Sequence, residues 1–137
     1  NVTGAMIVAQ EAVRRMSTKF GGKGGAIVNL GSMASTLGAP GEYVWYAASK
    51  GAIDALTIGL SREVAGEGVR VNSVAPGLID TEIHAAGGQP DRIARLRSMI
   101  PMGREGQAQE VAEAILYLLS EQASYVVGTN MRISGGR

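Results

Sequence analysis

Segments with helical periodicity alternate with short apolar, β-branched runs through all 137 residues, and that alternation constrains the fold more than any other feature. Val2, Met6, Ala9, Val13, Met16 and Phe20 recur at steps of three and four, which predicts an amphipathic helix from Val2 to Phe20. Gly21 to Gly25 breaks it. Ala26-Ile27-Val28-Asn29-Leu30 then has the pattern of a strand buried on both faces, and Gly31 to Gly41 reads as loop. From Tyr46 to Ala65 a second helix is expected, with Ile53, Leu56, Leu60 and Val64 on one stripe. Ala47, Ala48, Ala52, Ala55 and Ile58 widen its apolar surface almost all round, as in a helix covered both by a sheet and by another subunit. Val69 to Val74 reads as a strand ended by Pro76-Gly77, and Asp91 to Ser98 as an Arg-rich helix stopped by Pro101. A third strong helix covers Glu110 to Leu119, and a last strand, Asn130 to Ile133, leads into Ser134-Gly135-Gly136. Such an order is that of an α/β fold with a parallel sheet. Ligands of these sheets bind beyond the carboxyl ends of the strands, where Gly31-Ser32 and Pro76-Gly77 both fall.

The composition narrows the function classes. At 45% hydrophobic and 18% charged residues the chain can bury one core, and a single domain is expected. A net charge of +1 with 4% aromatics gives neither a basic footprint nor a stacking platform, so no nucleic-acid or membrane-surface role is expected. Arg14, Arg15, Lys19, Lys23, Arg92, Arg95 and Arg97 read as solvated helix faces. The absence of cysteine excludes disulfides and thiolate metal sites and fits a cytoplasmic location. The single histidine, His84, has no metal-ligand spacing around it, and no apolar run approaches the length of a membrane span.

Tyr46 and Lys50 carry the chemistry. Four residues apart on a helix, phenol and ammonium lie side by side. A neighbouring cation favours the phenolate and draws a tyrosine from about 10 towards neutrality, where it can give and take a proton between an alcohol and a carbonyl. A serine hydroxyl at Ser32 could hydrogen-bond the substrate oxygen. The Tyr-x-x-x-Lys spacing alone is weak, arising by chance in about one such chain in eleven. Plainer roles are open to each residue: Ser32 as a turn serine, Tyr46 as a helix-start aromatic, and a lysine packed along an aromatic ring.

Further residues fall into register with these. Asn1-Val2-Thr3-Gly4, Ile27-Val28-Asn29-Leu30-Gly31-Ser32, Tyr46-Ala47-Ala48-Ser49-Lys50, Arg70-Val71-Asn72-Ser73-Val74-Ala75-Pro76-Gly77, Thr81 and the closing Gly135-Gly136 follow one another in order. In these the chain resembles the short-chain dehydrogenase/reductase family, NAD(P)-dependent enzymes on a Rossmann-type doubly wound parallel sheet. The resemblance spans the whole chain and corresponds to the carboxy-terminal half of a typical member. It implies Tyr46 as general acid/base and Lys50 as the group that lowers its pKa and hydrogen-bonds the nicotinamide ribose. Ser32 would polarise the substrate oxygen, and Asn1 would hold a water in the proton relay to solvent. Pro76, Gly77 and Ile79 would meet the nicotinamide carboxamide, and Thr81 the carboxamide or the phosphates. At the residue level Asn1 could instead be an inert chain end and Thr81 a helix cap. Trp45, Met99 and Met102 stand where pocket walls would, or simply pack. Glu82 to Met102 would form a mobile substrate lid, and no metal is implied.

The chain departs from the family at one point. No glycine-rich phosphate fingerprint follows a first strand, and Gly21 to Gly25 cannot replace it because it joins a helix to a strand. No residue that would select NAD over NADP is present. The expectation is therefore one piece of a longer enzyme, unable alone to grip a dinucleotide or turn over, rather than a free-standing half-domain. The function expected of the completed protein is hydride transfer between NAD(P)(H) and a small-molecule carbonyl or secondary alcohol. A 3-ketoacyl carrier-protein reductase ranks below this, because Ala65-Gly66-Glu67-Gly68 puts an acid where such reductases carry a base. A non-catalytic nucleotide-binding or interaction module is the alternative of another class. Surplus apolar surface on the first two helices suggests a homodimer or homotetramer.

Overall fold

Val69, Val71 and Val74 are wholly removed from solvent, and they mark the strand around which everything else is arranged. The computed structural model describes residues 1–137. Gly25–Leu30 (β1) and Val69–Pro76 (β2) pair in parallel from Gly25↔Val69 to Leu30↔Val74. Two short strands, Ile79–Asp80 (β3) and Gly106–Gln107 (β4), pair in parallel with each other. The last strand, Asn130–Ile133 (β5), lies in parallel on the far side of β2, giving the sheet order β1-β2-β5. The alternation of the sequence is thus the α/β parallel architecture expected, consistent with a Rossmann-type sheet.

Successive side chains of β2 point to opposite faces, and each face has its own cover. On one side Val69 and Val71 pack with Val13 of helix Thr3–Met16 (α1) and Val64 of helix Val44–Val64 (α3), with Met16, Ile27 and Leu60 around them. On the other, Val74 packs with Val111 and Leu118 of helix Ala108–Leu119 (α6). That helix opens with a capping box between Gln107 and Glu110, and Arg70 donates to the carbonyls of Leu118 and Ser120 where it ends. Burying one such Val or Leu contributes about 1.5–3 kcal/mol, so β2 and its two covers dominate the stability.

Four expectations need correction. Helix α1 ends at Met16, because Ser17 turns extended and its buried hydroxyl donates to Glu67 Oε2 at 2.6 Å. Thr18–Phe20 is a separate 3-10 turn, which leaves Phe20 exposed. The loop after β1 contains a helical turn, Ala34–Leu37 (α2). β1 is half-buried rather than buried on both faces, since it is the outermost strand of the sheet here. The Arg-rich helix shortens to Arg92–Leu96 (α5), preceded by a turn of helix at Ile83–Ala86 (α4). The expected wide apolar surface of α3 is real: Ala47, Ile53, Thr57, Ser61 and Val64 are buried within the chain while Ile58 is exposed.

Candidate active site

Helix α3 begins at Val44, which puts Tyr46 in its first turn and Lys50 one turn further on, at the end of the sheet where β1 finishes. The Lys50 ammonium donates to the Leu30 carbonyl at 2.7 Å, tying the helix to the last residue of β1. It also lies 5.6 Å from the centroid of the Tyr46 ring, within cation–π range. An ammonium has three N–H donors, so two remain for other partners. Burial pushes the Lys50 ammonium below its ordinary range, and the negative charge of Asp54 partly offsets this. The Tyr46 phenol is bound to no other group of the chain and is 38% exposed.

Ser32 follows Lys50's anchor by two residues. Its hydroxyl oxygen accepts the Ala34 N–H at 3.1 Å and its carbonyl accepts the Ser35 hydroxyl at 2.8 Å, so the turn into α2 is built on it. Ser32 is therefore a turn serine, but one whose O–H is left to donate outward. Ser32 and Tyr46 are brought to the same edge without bonding each other. Asn1 joins them through Ser49: its amide donates to the Ser49 hydroxyl at 3.3 Å, and that hydroxyl donates to the Tyr46 carbonyl at 2.7 Å. The side chain at the start of the chain is thus docked on the first turn of the Tyr46 helix.

The residues expected near a nicotinamide gather beyond β2. The Gly77 N–H donates to Ile133 O at 2.9 Å, and a Cβ on Gly77 would stand 2.8 Å from the Ser134 Cα, so only glycine lets the two loops approach this closely. Ile79 lines a groove of ≈ 460 Å³ with Met102, Arg104 and the Ser134–Arg137 segment. Thr81 is exposed and caps nothing, for α4 starts two residues later without a side-chain cap. Trp45 and Met99 are exposed, and Met102 alone of the three wall candidates faces that groove.

The segment from Glu82 to Met102 is tethered to the entrance of α3. Arg92 and Arg95 pair with Glu42, Arg92 lies over the Tyr43 ring at 5.2 Å, and the Tyr43 hydroxyl donates to Gly87 O at 3.3 Å. Arg97 forms a two-pronged bond with Glu105 at 2.7 and 2.8 Å.

Gly21 to Gly25 offers no phosphate cradle. The Gly22, Gly24 and Gly25 N–H groups donate to Ser17, Met16 and Gly68 carbonyls, and a Cβ on Gly22 would collide with Met16 O at 2.3 Å. Two residues passed over in the sequence belong to the site's support. Asp54, half-buried, accepts the Asn130 side-chain amide at 2.8 Å. The available signal was Asp54's place four residues after Lys50 on one helix face. For Asn130, 76 residues further along, there was none.

Residues 1–137 match the family model described as "Enoyl-(Acyl carrier protein) reductase". The chain is 62% identical over 137 residues to a protein of Escherichia coli (strain K12) named "Uncharacterized oxidoreductase YgfF", covering 100% of this chain and 56% of that one. It is 38% identical over 136 residues to the "3-oxoacyl-[acyl-carrier-protein] reductase FabG" of Vibrio harveyi, covering 99% of this chain and 54% of the relative. Among solved structures, a short-chain type dehydrogenase/reductase from Mycobacterium ulcerans superposes with a TM-score of 0.86 at 33% identity, over 99% of this chain and 48% of that one. The chain spans about half the length of the curated relatives it matches. With its parallel sheet, its ordered motifs and these likenesses pointing one way, the chain belongs to the short-chain dehydrogenase/reductase family.

Proposed function

We propose that this chain is the catalytic, carboxy-terminal part of an oxidoreductase that interconverts a small-molecule carbonyl and alcohol with NAD(P)(H). The observation that carries the reading is the Lys50 ammonium, bonded to Leu30 O and set over the ring of a Tyr46 whose hydroxyl has no partner in the chain. Exposed and beside that ammonium, the hydroxyl is open to a substrate oxygen.

The residues present fit the nicotinamide end of such a cofactor. Lys50 has free N–H donors, the Gly77–Ser134 approach leaves the backbone beyond β2 close to the site, and Ile79 offers an apolar surface there. The phosphates need a strand-to-helix turn that this chain lacks. When bound, the nicotinamide supplies or accepts the hydride. The protein's task is then to orient the substrate and manage one proton. In the reducing direction the Tyr46 O–H donates to the substrate oxygen as negative charge builds there, and the Lys50 cation stabilises the phenolate left behind. Ser32 donates a second hydrogen bond to the same oxygen. Asn1, fixed through Ser49, keeps its amide oxygen available for a water that returns a proton to the site. Pro76, Gly77 and Ile79 would border the carboxamide, and Thr81 would offer it an exposed hydroxyl. The segment from Glu82 to Met102 covers the substrate.

A carrier-linked 3-oxoacyl reductase is the second reading, favoured by the likeness to such a reductase and opposed by Glu67. That carboxylate is partly occupied by Ser17 and by Lys19 at 3.8 Å, so it discourages an acidic carrier without forbidding one. Following nicotinamide oxidation by the full-length protein against sugars, polyol-derived ketones, steroid-like ketones and a carrier-bound 3-oxoacyl thioester separates the readings. Turnover of free ketones supports the first and of the carrier thioester alone the second. A protein that binds NAD(P)H but reduces none of these is a non-catalytic module. Two exposed helix faces, with Met6, Ile7, Val8 and Ile58 open, support a homodimer or homotetramer, which sedimentation of the full-length protein tests.

A further inference from the structure

We propose that Asp54, held by Asn130, is a positioning residue that sustains the charge of Lys50 from one helical turn away. The inference rests on the role proposed above for Lys50. Asp54 lies one turn beyond Lys50 on the same face of α3. Its Oδ1 accepts the Asn130 amide from β5, and a Cβ built on Gly31 would lie only 3.3 Å from that same oxygen. Gly31 immediately follows the Leu30 carbonyl that Lys50 grips and precedes Ser32. The carboxylate therefore sits where helix α3, the end of β1 and the far strand β5 converge, behind Lys50 and beneath the site loop.

The sheet has been built to supply this support. Asn29, Ser73 and Asn130 are aligned across β1, β2 and β5, and they point to the α3 face: Asn29 donates to Thr57 at 2.9 Å while Asn130 donates to Asp54. Ser73 Oγ and Asn130 Oδ1 are buried without partners. Valines across this row would carry no such unpaired atoms, and what the row's Asn130 holds is a carboxylate one helical turn from the lysine, beyond ion-pair distance of it. One other charge shares that side: Arg132 of β5, two residues beyond Asn130 and exposed. β1 and α2 carry no ionisable side chain, and Arg70 of β2 is bonded to the end of α6 on the opposite face. Glu11, Arg14 and Arg15 of α1 pair with one another at its far end, and Arg62 and Glu63 lie two or more turns along α3. Tyr46 and the α-amino group of Asn1 are the remaining ionisable neighbours.

The test uses the full-length protein with isotope-labelled lysine side chains, Lys50 being assigned through Lys50→Arg, and reads the lysine titration by NMR beside the pH profile of kcat/KM. Asp54→Asn is isosteric and keeps the acceptor for Asn130, so the fold is retained. Its Lys50 midpoint should fall by about one pH unit, with the alkaline limb of kcat/KM moving the same way. Asp54→Glu should restore both, and Asn130→Ala should move both in the same direction by less. An unmoved Lys50 midpoint in Asp54→Asn overturns the proposal, as does an equal loss of rate at every pH. A midpoint that moves while the rate profile stays fixed upholds the Asp54–Lys50 link and overturns instead the catalytic role given to Lys50.

Discussion

The two sides of the candidate site are held by different kinds of force. On the β1–α3 side, Lys50, Ser32 and Asn1 are held by hydrogen bonds of 2.7, 3.1 and 3.3 Å, and α3 is clamped to the sheet by a buried stripe from Ala47 to Val64. On the other side, Ile83 to Met102 rests on pairs between long side chains such as Arg95–Glu42 at 3.6 Å and Arg97–Glu105 at 2.7 Å. Bonds of the first kind lose little to salt, whereas exposed ion pairs are worth about 0–1 kcal/mol each and are screened. The groups that would perform the chemistry are thus on the rigid side, and the covering segment is on the side that can yield.

The largest expected effect breaks the rigid side. Lys50→Met removes the cation beside Tyr46 and the bond to Leu30, and kcat should fall by about 10²–10⁴-fold. Removing a half-buried ammonium costs little stability, so the melting temperature should stay within a few degrees. A large drop in both would mean that Lys50 is chiefly structural. Next comes Gly77→Ala, which forces a Cβ to 2.8 Å from the Ser134 Cα. Urea unfolding should show a loss of about 1–3 kcal/mol.

Glu42→Gln addresses the yielding side. It frees Arg92 and Arg95 from the entrance of α3, so KM should rise several-fold with kcat little changed, and stability should fall by about 1–2 kcal/mol because the Arg92–Glu42 pair is largely buried. Wild-type KM should rise with ionic strength in the same direction; a salt-independent KM would erase the contrast drawn here. The smallest effect is in acid. The Arg104 guanidinium and then the Gln107 N–H lower the Glu110 carboxyl from 4.5 to about 2. The folded state therefore favours the ionised form, and the contribution is complete above the unfolded value of 4.5 and is lost as pH falls from there to about 2. Glu110→Gln should flatten that part of the stability–pH curve and lower stability slightly across the neutral range, where the contribution is fully present.

The parts that the sequence made legible are those whose signal is local. Helix α6 and strand β2 were readable because their apolar periods coincide with what is buried, and Tyr46–Lys50 because four residues make one turn. The helix over 2–20 was overextended because its stop depends on Ser17 meeting Glu67, 50 residues away. The burial of β1 was overstated because an apolar run says nothing of what lies beside it. Lys50's partner is a backbone carbonyl, which leaves no trace in residue type, and the Asp54–Asn130 bond joins two ordinary polar residues across the sheet.

The account stands or falls on the Tyr46 hydroxyl. In the full-length protein, Tyr46→Phe removes one oxygen from a residue that bonds nothing else through it, so folding and NAD(P)H binding should be unchanged. Single-turnover hydride transfer should fall by at least about 10²-fold and lose its pH dependence near neutrality. A variant that transfers hydride within a few-fold of wild type, with the same pH profile, would contradict the claim that this phenol carries the proton.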